Sequence, residues 1–336
     1  MDVKSKLIIF GFCLYVLVLS AAVDCKGAQQ IIEANNVNKP LPDSNSIITK
    51  KYIDIGDAYF YYEIAGEGVP VILIHGHSVD CRMWDAQFTK LAKHYKVVRY
   101  DMRGYGRTDM PVEGQKFLHA EDLHKLMWFL GIPKAHLIGL SMGSSVAVDF
   151  MALYPEQTLS IAVAAGGIRK SAVPDDANAS QRARIEAEER QRKLASIEAV
   201  KRQGIEAYKK QWLEFVLSVC GPHKSKIQPK LRQMINDWSA WQALHVEPSW
   251  ELDPPVTVQL KTKKPDIPVL VIVGKNDSPR TIRSQEALIE ILPQARRYDV
   301  ANAGHFPNME TLTQFNKALM DFLSSVEDRS AVKAKN

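Results

Sequence analysis

Residues 135–153 read AHLIGLSMGSSVAVDFMAL and carry the clearest fold signal in the chain. Its first six residues form an apolar run that is typical of a strand buried on both faces of a sheet. A helical pattern follows from Ser144 onward. Between the two lies Gly139-Leu140-Ser141-Met142-Gly143, in which the glycines permit a sharp turn that larger side chains would obstruct. The stretch therefore predicts a strand, a turn that exposes Ser141, and a helix.

Comparable apolar runs recur along the 336-residue chain and alternate with helical patterns. They lie at residues 70–74, 97–100, 159–165, 269–273 and 297–300. Strands that alternate with helices are typical of a parallel sheet with helices on both faces. Two earlier runs, separated by Gly56-Asp57, suit an antiparallel hairpin. We therefore predict an α/β fold with a mostly parallel, eight-stranded sheet.

The alternation stops between residues 168 and 258, where we predict an inserted helical cap. Residues 178–218 read as helix, capped by Asn178 or Ser180, and a second helical piece follows at roughly 230–244. Six apolar side chains at helical spacing predict one buried stripe, namely Leu194, Ile197, Ile205, Tyr208, Trp212 and Phe215. Three tryptophans are candidates to line an apolar pocket over the site, namely Trp238, Trp241 and Trp250.

The N-terminus has the layout of a secretory signal peptide. Lys4 and Lys6 precede an uncharged apolar run at residues 7–19, and small residues follow at 20–22. Small residues after a short apolar run are typical of a cleavage site. We therefore expect residues 1–22 to be removed and the protein to be exported, either to a periplasm or as a secreted protein.

Two alternatives to a cleaved leader remain open, and a flexible segment is expected at residues 23–46 in each case. The apolar stretch at 7–23 is at the short limit of what spans a bilayer, so it would also serve as a retained anchor. Cys25 would allow a lipidated N-terminus, although the preceding Asp24 disfavours this. A stable membrane partner is expected only if the N-terminus is retained or lipidated.

The rest of the chain divides by pattern into four parts. We predict a first core part at 47–167, the cap at 168–258, a second core part at 259–326 and a tail at 327–336. The formal net charge of +5, with both signs mixed along the chain, gives no reason to expect a nucleic-acid partner.

The cysteine content gives no sign of a metal site, and we expect neither a metal nor a cofactor. After removal of the leader an odd number of cysteines remains, and no C-x-x-C motif is present. Cys81 and Cys220 are therefore interpreted as buried or unpaired thiols.

A serine hydroxyl is a poor nucleophile without a base, and His305 is the candidate base for Ser141. His305 follows the last predicted strand, and Asp277 follows the strand before it. Loops at the carboxyl ends of parallel strands lie on one edge of the sheet, so the three side chains should converge. We predict that Asp277 orients His305, in preference to its neighbours Asn276 and Asp299.

A second loop with candidate residues is His75-Gly76-His77-Ser78, which directly follows a buried strand. Acyl transfer builds negative charge on a carbonyl oxygen, and two backbone amides aimed at that oxygen stabilise the transition state. We predict that the amides of His77 and Met142 form this oxyanion site. Because both act through the main chain, their side chains would instead shape the pocket.

Residues 71–165 and 268–310 together resemble the α/β-hydrolase superfamily. The resemblance is carried by His75-Gly76, Trp84, Asp101-Met102-Arg103-Gly104-Tyr105-Gly106-Arg107-Thr108, the turn at Ser141 and Gly304-His305. It implies the α/β-hydrolase fold, and the order Ser141, Asp277, His305 is that of the superfamily's triad. Within the superfamily the chain resembles the branch of small esterases, enol-lactonases and cofactor-free peroxidase-like hydrolases. Ser141 argues against the relatives that use an aspartate nucleophile, the epoxide hydrolases and haloalkane dehalogenases.

The resemblance implies a small-molecule substrate and leaves three functions open. The first is hydrolysis of a carboxylic ester or lactone through an acyl-enzyme on Ser141. The second is cleavage of a carbon–carbon bond in a β-diketone by the same triad. The third is a ligand-binding receptor that retains the triad and turns over poorly, because a fold does not fix a function.

Overall fold

The computed structural model describes residues 48–169, 174, 177–246 and 252–333. The predicted leader, the segment at 23–46, Cys25 and Trp250 lie outside the described residues. Among the helices described, none combines the length and the apolar character that a membrane span needs.

A single sheet of eight strands organises the described chain, with the spatial order β1-β2-β4-β3-β5-β6-β7-β8. β1 pairs with β2, and β2 with β4, in antiparallel fashion, whereas all other neighbours are parallel. The strands are β1 Thr49–Asp54, β2 Tyr59–Ala65, β3 Pro70–Ile74, β4 Lys96–Tyr100, β5 Ala135–Leu140, β6 Thr158–Ala164, β7 Val269–Gly274 and β8 Arg296–Val300. The predicted fold class is confirmed, because every predicted run became a strand of this sheet.

Helices cover both faces of the sheet and bury two apolar layers. One face carries His119–Phe129, Met142–Leu153, Val256–Lys263 and Pro279–Ile291. The other carries Asp85–Leu91 and Leu312–Lys333. Short helical turns complete the core at Cys81–Trp84, Pro155–Gln157 and Pro307–Glu310. Because the central strands are covered on both sides, they read as continuous apolar runs in the sequence.

Four helices lie between β6 and β7, within the stretch predicted as a cap: Ala179–Gln203, Ile205–Ser218, Lys224–Asp237 and Trp241–Leu244. Asn178 caps the first, since its Oδ1 accepts from the Gln181 N–H at 2.9 Å and its own N–H donates to Gln181 Oε1. The expectation of one continuous helix at 178–218 was wrong. Gly204, with φ +86°, ends the first helix and starts the next.

The predicted apolar stripe is also corrected, because Leu194 and Phe215 are 43% and 54% exposed. The break at Gly204 puts Leu194 and Ile197 on one helix and the other four residues on the next, so the six do not form one stripe. Within the first helix Ile197 is buried, as predicted, although Leu194 is not. Phe215 borders a cleft instead of a core.

Two predicted boundaries fall inside helices. The helix Val256–Lys263 begins within the stretch assigned to the cap, yet it packs on the sheet side, where Lys263 Nζ donates to the Ala152 carbonyl at 2.6 Å. The final helix, Leu312–Lys333, continues past the expected core boundary at 326. Its buried side chains, among them Phe322 and Leu323, end at Val326, so the helix outlasts its described core contacts.

Candidate active site

The turn between β5 and the helix Met142–Leu153 places Ser141 at the carboxyl edge of the sheet. Ser141 has φ +55° and ψ −116°, a conformation that L residues rarely adopt. A Cβ at Gly139 would lie 2.2 Å from the Gly143 carbonyl oxygen, and one at Gly143 would lie 2.2 Å from the Ile74 carbonyl oxygen. Glycine is therefore required on both sides of the serine for the turn to close.

The side chains of Ser141, His305 and Asp277 form one hydrogen-bonded chain. Ser141 Oγ lies 3.0 Å from His305 Nε2, and His305 Nδ1 lies 2.9 Å from Asp277 Oδ2. An ionised carboxylate only accepts, so Nδ1–H donates to Asp277 and leaves Nε2 to accept the serine proton. The Asp277 side chain is fully buried, whereas that of His305 is 19% exposed. The structure thus brings together the three residues that the sequence predicted to converge.

The two neighbours that competed with Asp277 take part in other hydrogen bonds. Asp299 lies within β8, and its carboxylate accepts from Arg297 Nε at 2.7 Å. The Asn276 N–H donates to the Ala303 carbonyl at 2.9 Å and so ties its loop to the loop before His305. Asp277 is held in place by the Ser278 N–H, which donates to its Oδ1 at 2.6 Å.

The predicted oxyanion amides lie beside the serine. Met142 is the first residue of its helix, where backbone N–H groups have no partner within the helix. The loop after β3 approaches Ser141 so closely that a Cβ at Gly76 would lie 3.3 Å from the serine Cβ. In the described part of the chain, no backbone carbonyl accepts from the N–H of His77 or of Met142. Both amides are therefore available to an oxygen bound at Ser141, and this role stays a prediction.

Comparison with known families assigns the fold. The family described as alpha/beta hydrolase fold matches residues 69–312. The chain belongs to the α/β-hydrolase family. The superfamily resemblance of the motifs is thereby confirmed.

Solved and curated relatives match this hydrolase over most of its length. An esterase from Thermogutta terrifontis is 26% identical, with a TM-score of 0.66, and the match covers 83% of this chain and 99% of that one. The enol-lactonase from Burkholderia xenovorans LB400 is 20% identical, with a TM-score of 0.64 and coverage of 82% and 100%, which shows a shared fold. A 2-hydroxy-6-oxononadienedioate/2-hydroxy-6-oxononatrienedioate hydrolase from Comamonas testosteroni is 25% identical, covering 85% of this chain and 100% of that one.

The ring of His77 shapes the floor of the hydrolase site, as expected for its side chain. His77 Nδ1 lies 2.7 Å from the Tyr105 hydroxyl, and the ring packs edge-on against Tyr105, Trp212 and Trp238. Burial, with smaller contributions from Lys193 and His75, lowers the pKa of His77 to about 4. The ring is therefore neutral near pH 7 and serves as an aromatic wall.

His75, two residues earlier, has a structural place in the hydrolase. Its Nε2 accepts from the Met102 N–H at 2.9 Å, and its Nδ1 donates to the Gly76 carbonyl at 2.7 Å. These bonds join the loop after β3 to the loop that begins at Asp101. The Asp101 carboxylate in turn accepts from the N–H groups of Cys81 and Arg107. The motif at 101–108 therefore supports the site from below.

A cleft of about 210 Å³ opens above Ser141 and His305. The helix Ile205–Ser218 and the residues after it supply its apolar wall, formed by Trp212, Phe215, Val216 and Val219. Trp212 is anchored there, because its Nε1 donates to Ser78 Oγ at 2.7 Å.

The expected pocket tryptophans are corrected by this arrangement. Trp238 is buried behind His77, and Trp241 stacks on His245 at 4.4 Å between ring centroids, so neither borders the cleft. Sequence reasoning placed Trp212 in a buried stripe and missed its position at the site. The helical spacing of Trp212, Val216 and Val219 was the signal that could have revealed this wall.

Potential metal ligands among the described residues meet at Asp80, Cys81 and Asp101, whose ligand atoms lie within 4.8 Å of one another. Asp80 is paired with Arg82, which donates to both of its carboxylate oxygens. Burial raises the pKa of the Cys81 thiol far above its usual range, which disfavours the thiolate that binds metals. We interpret the cluster as structural. Cys81 and Cys220 are both buried free thiols, as interpreted from the sequence.

Proposed function

We propose that this α/β-hydrolase is a serine hydrolase that cleaves a carboxylic ester or lactone through an acyl-enzyme on Ser141. The observation that carries the proposal is the hydrogen-bonded chain from Ser141 through His305 to Asp277. Its support from relatives is the likeness to the Thermogutta terrifontis esterase, which covers 83% of this chain and 99% of that one.

In the acylation step, Ser141 Oγ attacks the carbonyl carbon while His305 Nε2 takes the hydroxyl proton. The imidazolium that forms is stabilised by the buried carboxylate of Asp277. The carbonyl oxygen becomes an oxyanion, which the N–H groups of Met142 and His77 would receive. Collapse of the intermediate breaks the bond to the leaving oxygen, and His305 donates its proton to that oxygen.

In the deacylation step, a water molecule gives a proton to His305 and attacks the acyl carbon. The bond from that carbon to Ser141 Oγ then breaks, and the serine recovers its proton from His305. The apolar wall formed by Trp212, Phe215, Val216 and Val219 suits the acyl side of such a substrate, because it would bury hydrocarbon away from water.

A second candidate is carbon–carbon bond hydrolysis by the same residues. The observation that favours it is the relative from Comamonas testosteroni, a hydrolase of 2-hydroxy-6-oxononadienedioate that is matched over its whole length. The two candidates differ in the leaving group, since a carbanion must be protonated where an ester would release an alcohol. Turnover of a β-diketone without turnover of simple esters would favour this candidate.

The proposal is tested by treating the protein with a serine-directed phosphonate and by measuring turnover of a panel of short-chain esters and lactones. The wild type should be labelled at Ser141, and Ser141→Ala should be neither labelled nor active, with kcat reduced by roughly 10⁶-fold. Labelling at another serine, or full activity in folded Ser141→Ala, would reject the assignment. Labelling without turnover of any substrate would support the receptor alternative.

We also propose that the protein is exported after removal of its leader, on the basis of the charged, apolar and small-residue order at 1–22. N-terminal sequencing of the protein recovered from expressing cells tests this. The mature chain should begin near Val23. An intact Met1 in a membrane fraction would replace the proposal with a retained anchor.

A further inference from the structure

A buried carboxylate outside the triad lies next to the proposed base. Glu310 ends the short helix Pro307–Glu310 that follows His305, and it is only 6% exposed. Its oxygens accept hydrogen bonds from three backbone N–H groups. Phe306 donates at 3.0 Å, Gly304 at 3.1 Å and Gly221 at 2.6 Å. Charge-assisted bonds of this kind are about twice as strong as those between neutral groups.

The three donors and their neighbours fix the backbone on both sides of His305. Gly304 and Phe306 flank the histidine in sequence, and both bind Glu310. The N–H of His305 itself donates to the Val219 carbonyl at 2.9 Å. The consecutive N–H groups of residues 304–306 are therefore all held. The Glu310 carboxylate binds the first and the third, and the Val219 carbonyl, from the other side of the cleft, binds the second.

Those residues from the other side of the cleft form the segment 219–221, which directly follows the helix Ile205–Ser218. Its contact with the histidine loop is close, because a Cβ at Gly304 would lie 2.3 Å from the Val219 carbonyl oxygen. A Cβ at Gly221 would lie 2.8 Å from Glu310 Oε2. Val219 also borders the cleft, so the same few residues touch both the base and the apolar wall.

We propose that Glu310 is a positioning residue that locks His305 to the segment 219–221, so that the base and the apolar wall of the cleft are held as one unit. The inference rests on the proposed function, since it assigns His305 as the base. A base must stay within hydrogen-bond reach of the proton that it takes. A misplacement of about 1 Å costs on the order of 100-fold in rate, so anchoring both flanking peptides protects the reaction.

The test compares the full-length wild type with Glu310→Gln. A glutamine has one acceptor oxygen and one NH₂ group, so it cannot accept all three bonds. We expect kcat for a generic ester to fall by roughly 10- to 100-fold in Glu310→Gln, with KM changed less than about 3-fold. The rate of phosphonate labelling should fall by the same factor as kcat. Amide hydrogen exchange should speed up at both 219–221 and 304–306.

Two controls separate positioning from general destabilisation. Glu286→Gln removes a half-exposed glutamate whose partner is Arg297 at the surface, and it should retain wild-type kinetics. Phe322→Leu weakens the core away from the site, and it gives the effect of lost stability alone. The proposal is wrong if Glu310→Gln keeps wild-type kcat, or if Phe322→Leu at equal loss of Tm lowers kcat equally.

The exchange measurement does not depend on turnover. If the wild type neither hydrolyses esters nor reacts with phosphonate, the proposed function fails, and the exchange at 219–221 still reports whether Glu310 joins the two segments. Faster exchange with unchanged kcat would reject a positioning role and leave only a structural link.

Discussion

At the scale of single residues, the site depends on a serine whose backbone is held in a costly conformation. A non-glycine residue at positive φ costs on the order of 1–3 kcal/mol and persists only where its surroundings enforce it. Here the Ser141 N–H donates to the Ala164 carbonyl at 2.8 Å. Ser144 adds a second tie, since its Oγ donates to that carbonyl at 2.8 Å and accepts from the Ala164 N–H at 3.1 Å. The turn is thus fixed to β6 before any substrate binds.

Replacement of the orienting carboxylate is the sharpest prediction at this scale. Asp277→Asn should lower kcat by about 10⁴-fold, because an amide stabilises neither the required tautomer nor the imidazolium. The measurement is ester turnover, and Asp299→Asn is the matched control, since that carboxylate pairs with Arg297. Similar losses in both variants would show that Asp277 holds no special role.

At the scale of elements, the helix Ile205–Ser218 is where the inserted helices reach the site. Gly204 separates this helix from the preceding charged helix, so the two need not share one axis. The apolar side of Ile205–Ser218 therefore faces the cleft. Trp212 contacts His77 with 5.3 Å between ring centroids and is bonded to Ser78, which ties this helix to the loop after β3. One helix therefore contributes both to the cleft wall and to the packing around the predicted oxyanion loop.

Trp212→Ala should change which acyl groups are accepted. Loss of the indole removes apolar wall and enlarges the cleft, so kcat/KM for short-chain esters should fall by roughly 10-fold and the preferred acyl chain should lengthen. The profile is measured across a series of acyl lengths. Trp241→Ala provides the control, because that ring stacks on His245 away from the cleft. An unchanged chain-length preference in Trp212→Ala would remove this helix from the specificity of the enzyme.

At the scale of the whole molecule, buried neutral histidines make stability depend on pH. Burial lowers the pKa of His136 to about 4 and that of His119 to about 3. The unfolded chain binds protons near pH 6.5, where the folded histidines do not. The stability that these neutral histidines contribute is therefore fully present above about pH 6.5 and is lost as the pH falls toward 4. Each such histidine contributes at most about 1.4 kcal/mol per pH unit.

His136→Gln isolates one part of this dependence. His136 is 2% exposed, and its Nδ1 lies 2.7 Å from Ser160 Oγ; it is near the start of β5, whereas Ser141 follows the end of that strand. Urea unfolding at pH 7.5 and pH 5 should show a smaller loss of stability for His136→Gln than for the wild type. The carboxylates contribute equally to the pH dependence of both proteins. Equal losses of stability would therefore mean that burial does not keep His136 neutral at pH 5.

Features that depend on neighbouring residues could be predicted from the sequence. The turn at Ser141 was predictable because an apolar strand, two glycines and a helical pattern lie within a few consecutive residues. The convergence of Asp277 and His305 on that turn was predictable because parallel strands end on one edge. Their hydrogen bonds follow from that topology, and their catalytic roles stay predictions.

The contacts between the inserted helices and the α/β core could not be predicted from the sequence. Trp212 borders the cleft while Trp238 lies behind His77, although all the tryptophans look alike as apolar residues in helical patterns. Glu310 gave no sign of its role, because its partner Gly221 is 89 residues away along the chain. Contacts of this kind depend on how separately formed segments pack, and close packing selects one arrangement from many that the pattern of apolar residues allows.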